Sequence, residues 1–149
     1  GPTQPWAGGG MKPELNDFNR VPVEYAEVIT DQDYHNDTIH RKCIDTLRLN
    51  GTPLICTEYM ARTRGSRFGN IMPILKKENI AAINWGLVSG KTNTIYAWDD
   101  PMPDGFEPKL WFHDIFRNDG KPYNADEVRL IMELTGKKDA EANRNINAK

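Results

Sequence analysis

Apolar positions along this chain change period several times, and each change marks an element. Residues 26–30, AEVIT, form a short β-branched run that predicts a buried strand, opening into the polar loop DQDYHND at 31–37. From Thr38 the spacing turns helical, with Ile39, Cys43, Ile44 and Leu47 on one face and a stop at Asn50-Gly51. PLICT at 53–57 is a wholly apolar strand of the kind buried on both faces. After a basic loop, Arg62-Thr63-Arg64-Gly65, Ser66 is placed to cap a second helix whose inner face is Phe68, Ile71, Met72 and Leu75. Pro73 inside that pattern predicts a late start or a bend. IAAIN at 80–84 reads as a third strand, ending in Trp85-Gly86. A long irregular segment follows to Asp119, and Asn124 then caps a last helix with Val128, Ile131 and Leu134 turned inward.

Upstream, the first twenty residues are rich in Gly and Pro, with a short helix expected at 14–20, ahead of Pro22. Strands alternating with helices imply βαβ units, a parallel sheet and an α/β fold. Doubly wound and barrel forms are both open at this level, although no G-x-G-x-x-G follows any strand. In either form, chemistry gathers just past the strand C-termini, here residues 31–36, Glu58-Tyr59 and Trp85.

Composition removes several function classes. The 149 residues carry 19 Lys+Arg against 21 Asp+Glu, a net charge of −2, whereas phosphate binding wants a basic surface; no nucleic-acid partner is expected. No run approaches the roughly 18 apolar residues of a membrane span. Cys43 and Cys56 make neither a disulfide framework nor a zinc spacing and are expected as buried free thiols, so no metal and no cofactor are implied. The chain opens on Gly1-Pro2-Thr3-Gln4-Pro5 without an initiator methionine or leader and is read as an excerpt of a longer protein.

Glu58 is the leading candidate for chemistry. A carboxylate at the end of the most apolar strand is costly unless it faces a polar site. In a parallel barrel that position points into the mouth, where a carboxylate can attack an anomeric carbon. The competing reading pairs Glu58 with Arg62 or Arg64. Trp85, at the end of the next strand, is either a floor for a sugar ring or a plug on the core. Tyr34 is placed to hydrogen-bond a neighbouring carboxylate. His35 and His40 are expected on the surface, Asp31 and Asp33 in a solvated loop, and His113 in loop packing. No G-x-S-x-G and no phosphate-cradling loop occurs.

Three motifs in order carry a family likeness: TPLICTEYMART (52–63), IAAINWGLVSGKTNTIYAWD (80–99) and WFHDIFRNDGKPYNADEV (111–128). Together they resemble the C-terminal end of the clan A, cellulase-like glycoside hydrolases, which are (β/α)8 TIM barrels of the retaining class. PTQPWAGG (2–9) is similar to their fifth strand and AEVITDQDYHN (26–36) to the sixth, so the likeness spans about the first 135 residues. The implied organisation is half of a barrel, strands five to eight, in residues 1–136, followed by a polar tail at 137–149. The resemblance makes Glu58 the nucleophile, Tyr34 the tyrosine that orients it, and Trp85 the sugar-stacking residue. Gln32 stands where relatives commonly carry a sugar-site His, and Trp98 or Trp6 would lie at the rim. Arg62 and Lys91 fall in the same motifs as structural or substrate-facing residues.

The family's acid/base Glu follows an Asn at the end of the fourth strand, and no Asn-Glu pair precedes Pro5; Glu78-Asn79 has the reverse order. The implied partners are therefore an oligo- or polysaccharide substrate and either a missing N-terminal half-barrel or a second copy. A whole barrel takes about 250 residues, and a half leaves parallel-strand edges open. Compartment is not legible in the residues; the resemblance is compatible with a secreted or periplasmic parent. Two rivals stand beside the glycosidase. One is a carbohydrate-binding remnant without turnover. The other is an unrelated α/β interaction domain with Trp85 and Trp111 in its core and Glu58 in a salt bridge.

Overall fold

Three short strands, all parallel and adjacent in chain order, form the sheet in the computed structural model, which describes residues 17–48, 51–100 and 106–137. They are β1 (Ile29–Gln32), β2 (Leu54–Glu58) and β3 (Ala81–Ala82). Four α-helices accompany them among the described residues: α1 (Asp17–Tyr25), α2 (Asp37–Leu47), α3 (Phe68–Lys77) and α4 (Ala125–Leu134). The fold is α/β with a small parallel sheet, α2 crossing from β1 to β2 and α3 from β2 to β3. The expected fifth-strand segment at 2–9, Trp6 and nearly all of the tail lie outside the described residues.

The core explains why the crossovers settle where they do. Cys43, Ile44 and Leu47 of α2 and Phe68, Ile71, Ile74 and Leu75 of α3 pack with Ile29, Leu54 and Cys56 of the sheet. These helix positions recur at three- and four-residue spacing, so each helix turns one apolar stripe to the strands. Helix α3 packs against both α2 and α4, and Val128, Leu130 and Ile131 of α4 reach the same core only half-buried.

Several boundaries differ from expectation for identifiable reasons. Helix α1 runs through Pro22 to Tyr25, and α3 starts at Phe68 and holds Pro73. A proline costs a helix one hydrogen bond and does not by itself end it. Arg67, not Ser66, is the α3 N-cap residue: its N–H donates to Asn70 Oδ1 at 2.9 Å. Ser66 Oγ is engaged elsewhere, accepting from the buried Met60 N–H at 3.2 Å. Strand β2 alternates buried and half-buried residues instead of being buried on both faces. Strand β3 has only two residues, both exposed, because small alanines at the sheet margin bring little apolar area to hold a longer ladder.

The segment expected to be irregular is tied down where it returns to the sheet. Phe116 bridges Val88 on one side and Pro122 on the other, and the run Trp111, Phe112, His113, Asp114, Ile115 is buried throughout. No helix among the described residues is long and apolar enough to cross a membrane.

Candidate active site

A register slip builds the site. Ile29, Thr30 and Asp31 pair in step with Leu54, Ile55 and Cys56, but Gln32 pairs with Glu58 and skips Thr57. Side chains alternate between sheet faces, so the extra residue brings Gln32 and Glu58 to the same place at the C-terminal edge. Gln32 Nε2 donates to Glu58 Oε1 at 2.7 Å. Tyr34 Oη, just beyond β1, donates to Glu58 Oε2 at 2.6 Å. Burial and then the adjoining Glu58 carboxylate push the Tyr34 phenol up, so it stays a proton donor across the physiological range.

Neither arginine near Glu58 in sequence neutralises it. Arg62, fully buried, forks onto Glu127 at 2.6 and 3.1 Å and donates to the Trp111 and Asp114 carbonyls. It also lies over the Tyr123 ring, 4.9 Å from its centroid. Arg64 pairs with Asp99 at 2.9 Å. Both arginines are structural, and among the described residues Glu58 is left with two neutral donors and no ion-pair partner.

Aromatic rings line the position beside Tyr34. Trp98 meets Tyr34 edge-on at 4.9 Å and Phe112 at 4.7 Å between centroids, yet remains 55% exposed. Trp85 is 47% exposed, which removes it from the core, and its backbone N–H donates to the Tyr59 carbonyl at 3.2 Å. That bond sets Trp85 beside the residue after Glu58. Trp111, by contrast, is buried and stacked on Tyr123 at 4.6 Å. Lys91 is an exposed turn residue.

Beneath the site lies a polar cluster where the sequence suggested a solvated loop. Asp31, Asp33 and His40 are all buried, and His35 is largely so. They are covered because β1 extends two residues past its β-branched run, and α2 then folds His40 and Cys43 over the strand. Asp33 Oδ1 accepts from the His35 N–H at 2.8 Å and contacts its Nδ1 at 2.7 Å. His40 Nδ1 lies 3.0 Å from Asp33 Oδ2, close enough for an ion pair but not aligned as a hydrogen bond. Burial raises the Asp33 carboxyl, but contacts with His40 and His35 outweigh it and hold the group below the usual carboxylate range. For Asp31 the balance goes the other way: burial, then the negative charge of Asp33, outweigh the opposing pull of His40 and of the Gln32 backbone N–H and push it up to about 7. Cys43 and Cys56 are buried and free, and burial followed by the two aspartates raises both thiols. Among the described residues no group of three His, Cys, Asp or Glu is arranged to hold a metal ion.

Two further parts of the site were not singled out for it in the sequence. His113 is buried with Nδ1 2.6 Å from the Met60 carbonyl, and burial lowers its basicity. Gly86 follows Trp85 at φ +83°, and a Cβ there would fall 2.7 Å from both His113 Cβ and Asp114 Oδ1. The signal available was a His-Asp pair inside the apolar run at 111–116 and a Trp-Gly at a strand end.

Comparison of the chain with protein-family models, with curated proteins and with solved structures gave no match.

Proposed function

We propose that the chain carries the nucleophile of a retaining glycoside hydrolase, with Glu58 as that nucleophile. The observation that carries this is the state of the Glu58 carboxylate. It ends a parallel strand, is held through both oxygens by neutral donors, and has no cation beside it among the described residues. A structural carboxylate is ordinarily paired with Arg or Lys, whereas a nucleophile must keep its negative charge available.

Glu58 would attack the anomeric carbon as the glycosidic C–O bond breaks, leaving a glycosyl ester. A second carboxylic acid, supplied from outside this chain, would protonate the departing oxygen and then deprotonate the water that cleaves the ester. Tyr34 orients Glu58, and Trp85 and Trp98 offer exposed aromatic faces to the saccharide. The scaffold would be an arc of a (β/α)8 barrel. Sequential parallel strands, with their crossover helices packed side by side, are the arrangement such an arc requires. The half-buried sheet face carrying Gln32 and Glu58 would then be the barrel interior, completed by an N-terminal half or by a second copy.

The test is covalent. A 2-fluoro-2-deoxy glycoside with a dinitrophenyl leaving group needs no acid catalyst, so the second carboxyl is not required. A mass gain of one sugar, lost in Glu58→Gln, supports the assignment; no gain across gluco, manno, galacto and xylo reagents overturns it for this chain. The two exposed tryptophans also favour a second reading, a saccharide-binding module without turnover. In that case sugar binding persists in Glu58→Gln and no adduct forms.

A further inference from the structure

We infer that Gln32 is a positioning residue that fixes the Glu58 carboxylate, and not a contact to the sugar. The inference rests on the glycosidase reading and deepens it. In an unslipped parallel ladder Gln32 would lie beside Thr57; the slip between Asp31 and Gln32 sets it opposite Glu58 instead. The contact that results is short, Nε2 to Oε1 at 2.7 Å. An ionised carboxylate only accepts, so the amide must present its NH2 group and the orientation of Gln32 is fixed by its partner.

The two donors divide the carboxylate between them. Gln32 holds Oε1 and Tyr34 holds Oε2, so the plane of the group is defined at two points. A carboxylate has about four lone-pair sites and these bonds use two, which leaves an attacking pair on either oxygen. Both donors are neutral, so position is gained without cancelling the charge that attacks. Holding a reacting atom within its attack geometry is worth large factors in rate.

The back of β1 keeps these donors in place. Between Gln32 and Tyr34, the Asp33 N–H donates to the Glu58 carbonyl at 3.0 Å. The Asp33 carboxylate contacts His35 two residues along the chain and lies 3.0 Å from His40 of α2. The chain is therefore anchored to β2 and to α2 at the residue between the two donors, so Gln32 and Tyr34 do not shift independently. Gln32 thus has one of its two amide N–H donors committed to Glu58, and the side chain fixed in orientation, before any sugar arrives.

Gln32→Met keeps the length of the side chain and removes the donor. Labelling by the 2-fluoro glycoside separates the first-order rate of ester formation from the concentration that gives half-saturation. Hydrogen bonds to charged groups are worth enough that the first-order rate should fall about 10- to 100-fold, with half-saturation unchanged within about twofold. A raised half-saturation at an unchanged rate makes Gln32 a sugar contact and overturns the inference, as does no change in either. A second readout is independent of activity: the side-chain carboxyl ¹³C resonance of Glu58, assigned by its loss in Glu58→Gln. It should move in Gln32→Met and in Tyr34→Phe. A resonance unmoved in Gln32→Met overturns the inference. Should the parent chain take no label, the glycosidase reading falls, and the resonance still decides whether Gln32 holds Glu58.

Discussion

Tyr34 and Glu58 stand 24 residues apart in the chain and 2.6 Å apart in space, with the phenol donating to one carboxylate oxygen. Tyr34 is buried, packed with Ala61, Phe112 and Ala97, and its ring edge is held by Trp98. The bond is thus set by packing before any ligand binds. Tyr34→Phe keeps that packing and deletes the donor, and is expected to slow covalent labelling of Glu58 about 10- to 100-fold. Stopped-time intact-mass measurements check this; an unchanged rate would remove Tyr34 from the site.

Asp31 makes stability fall as pH rises. Its folded-state pKa of about 7 lies above the ordinary 3.8, so the native state holds a proton that the unfolded chain has released. The resulting contribution is fully present below about pH 4 and is lost as pH rises to 7, a window worth on the order of 4 kcal/mol. The depressed carboxyl of Asp33 acts at the opposite end, where its contribution disappears only below its ordinary 3.8. Asp31→Asn is therefore expected to match the parent near pH 4 and exceed it in stability at pH 8. Urea unfolding at the two pH values decides this, and a constant difference between the proteins would contradict it.

Arg62 and Glu127 join the turn after β2 to α4. Arg62 is buried, so Glu127→Ala leaves a charge without its carboxylate and should cost about 3 to 5 kcal/mol. Arg64→Ala breaks an exposed pair with Asp99 and should cost less than about 1 kcal/mol. Denaturant midpoints of the two variants, compared side by side, test the contrast; equal losses would mean that Arg62 is not anchored as described.

Gly86→Ala combines two penalties. A left-handed backbone costs a non-glycine residue about 1 to 2 kcal/mol, and the new Cβ would meet His113 and Asp114 at 2.7 Å. A loss of more than about 2 kcal/mol is expected, with a change in Trp85 fluorescence because its neighbour must shift. A variant as stable as the parent would show that the backbone at Gly86 relaxes freely.

What was legible in the sequence followed from periodicity. The α2 and α3 stripes, the β2 strand and the Asn124 cap, which accepts from the Asp126 and Glu127 N–H groups, lie close to where the spacing put them. Glu58, Tyr34 and Gln32 were singled out, and the structure brings those three together. The slip that joins Gln32 to Glu58 left no local signal, because Thr57 fits a regular strand as well as a skipped position. The buried cluster was hidden for a related reason. Asp31, Asp33, His35 and His40 look solvated one by one, and only the contacts between β1 and α2 make their burial tolerable. The competition between an Arg partner and a catalytic role for Glu58 was likewise open in the sequence, since the engagement of Arg62 depends on a residue 65 positions away.

The most direct measurement locates the sugar. After labelling with the 2-fluoro glycoside, trypsin releases the peptide that ends at Arg62 and contains Glu58. Tandem mass spectrometry of that peptide should place one sugar as an ester on Glu58. A sugar on any other residue, or no sugar on a chain that circular dichroism shows to be folded, would contradict the assignment of Glu58 as the nucleophile.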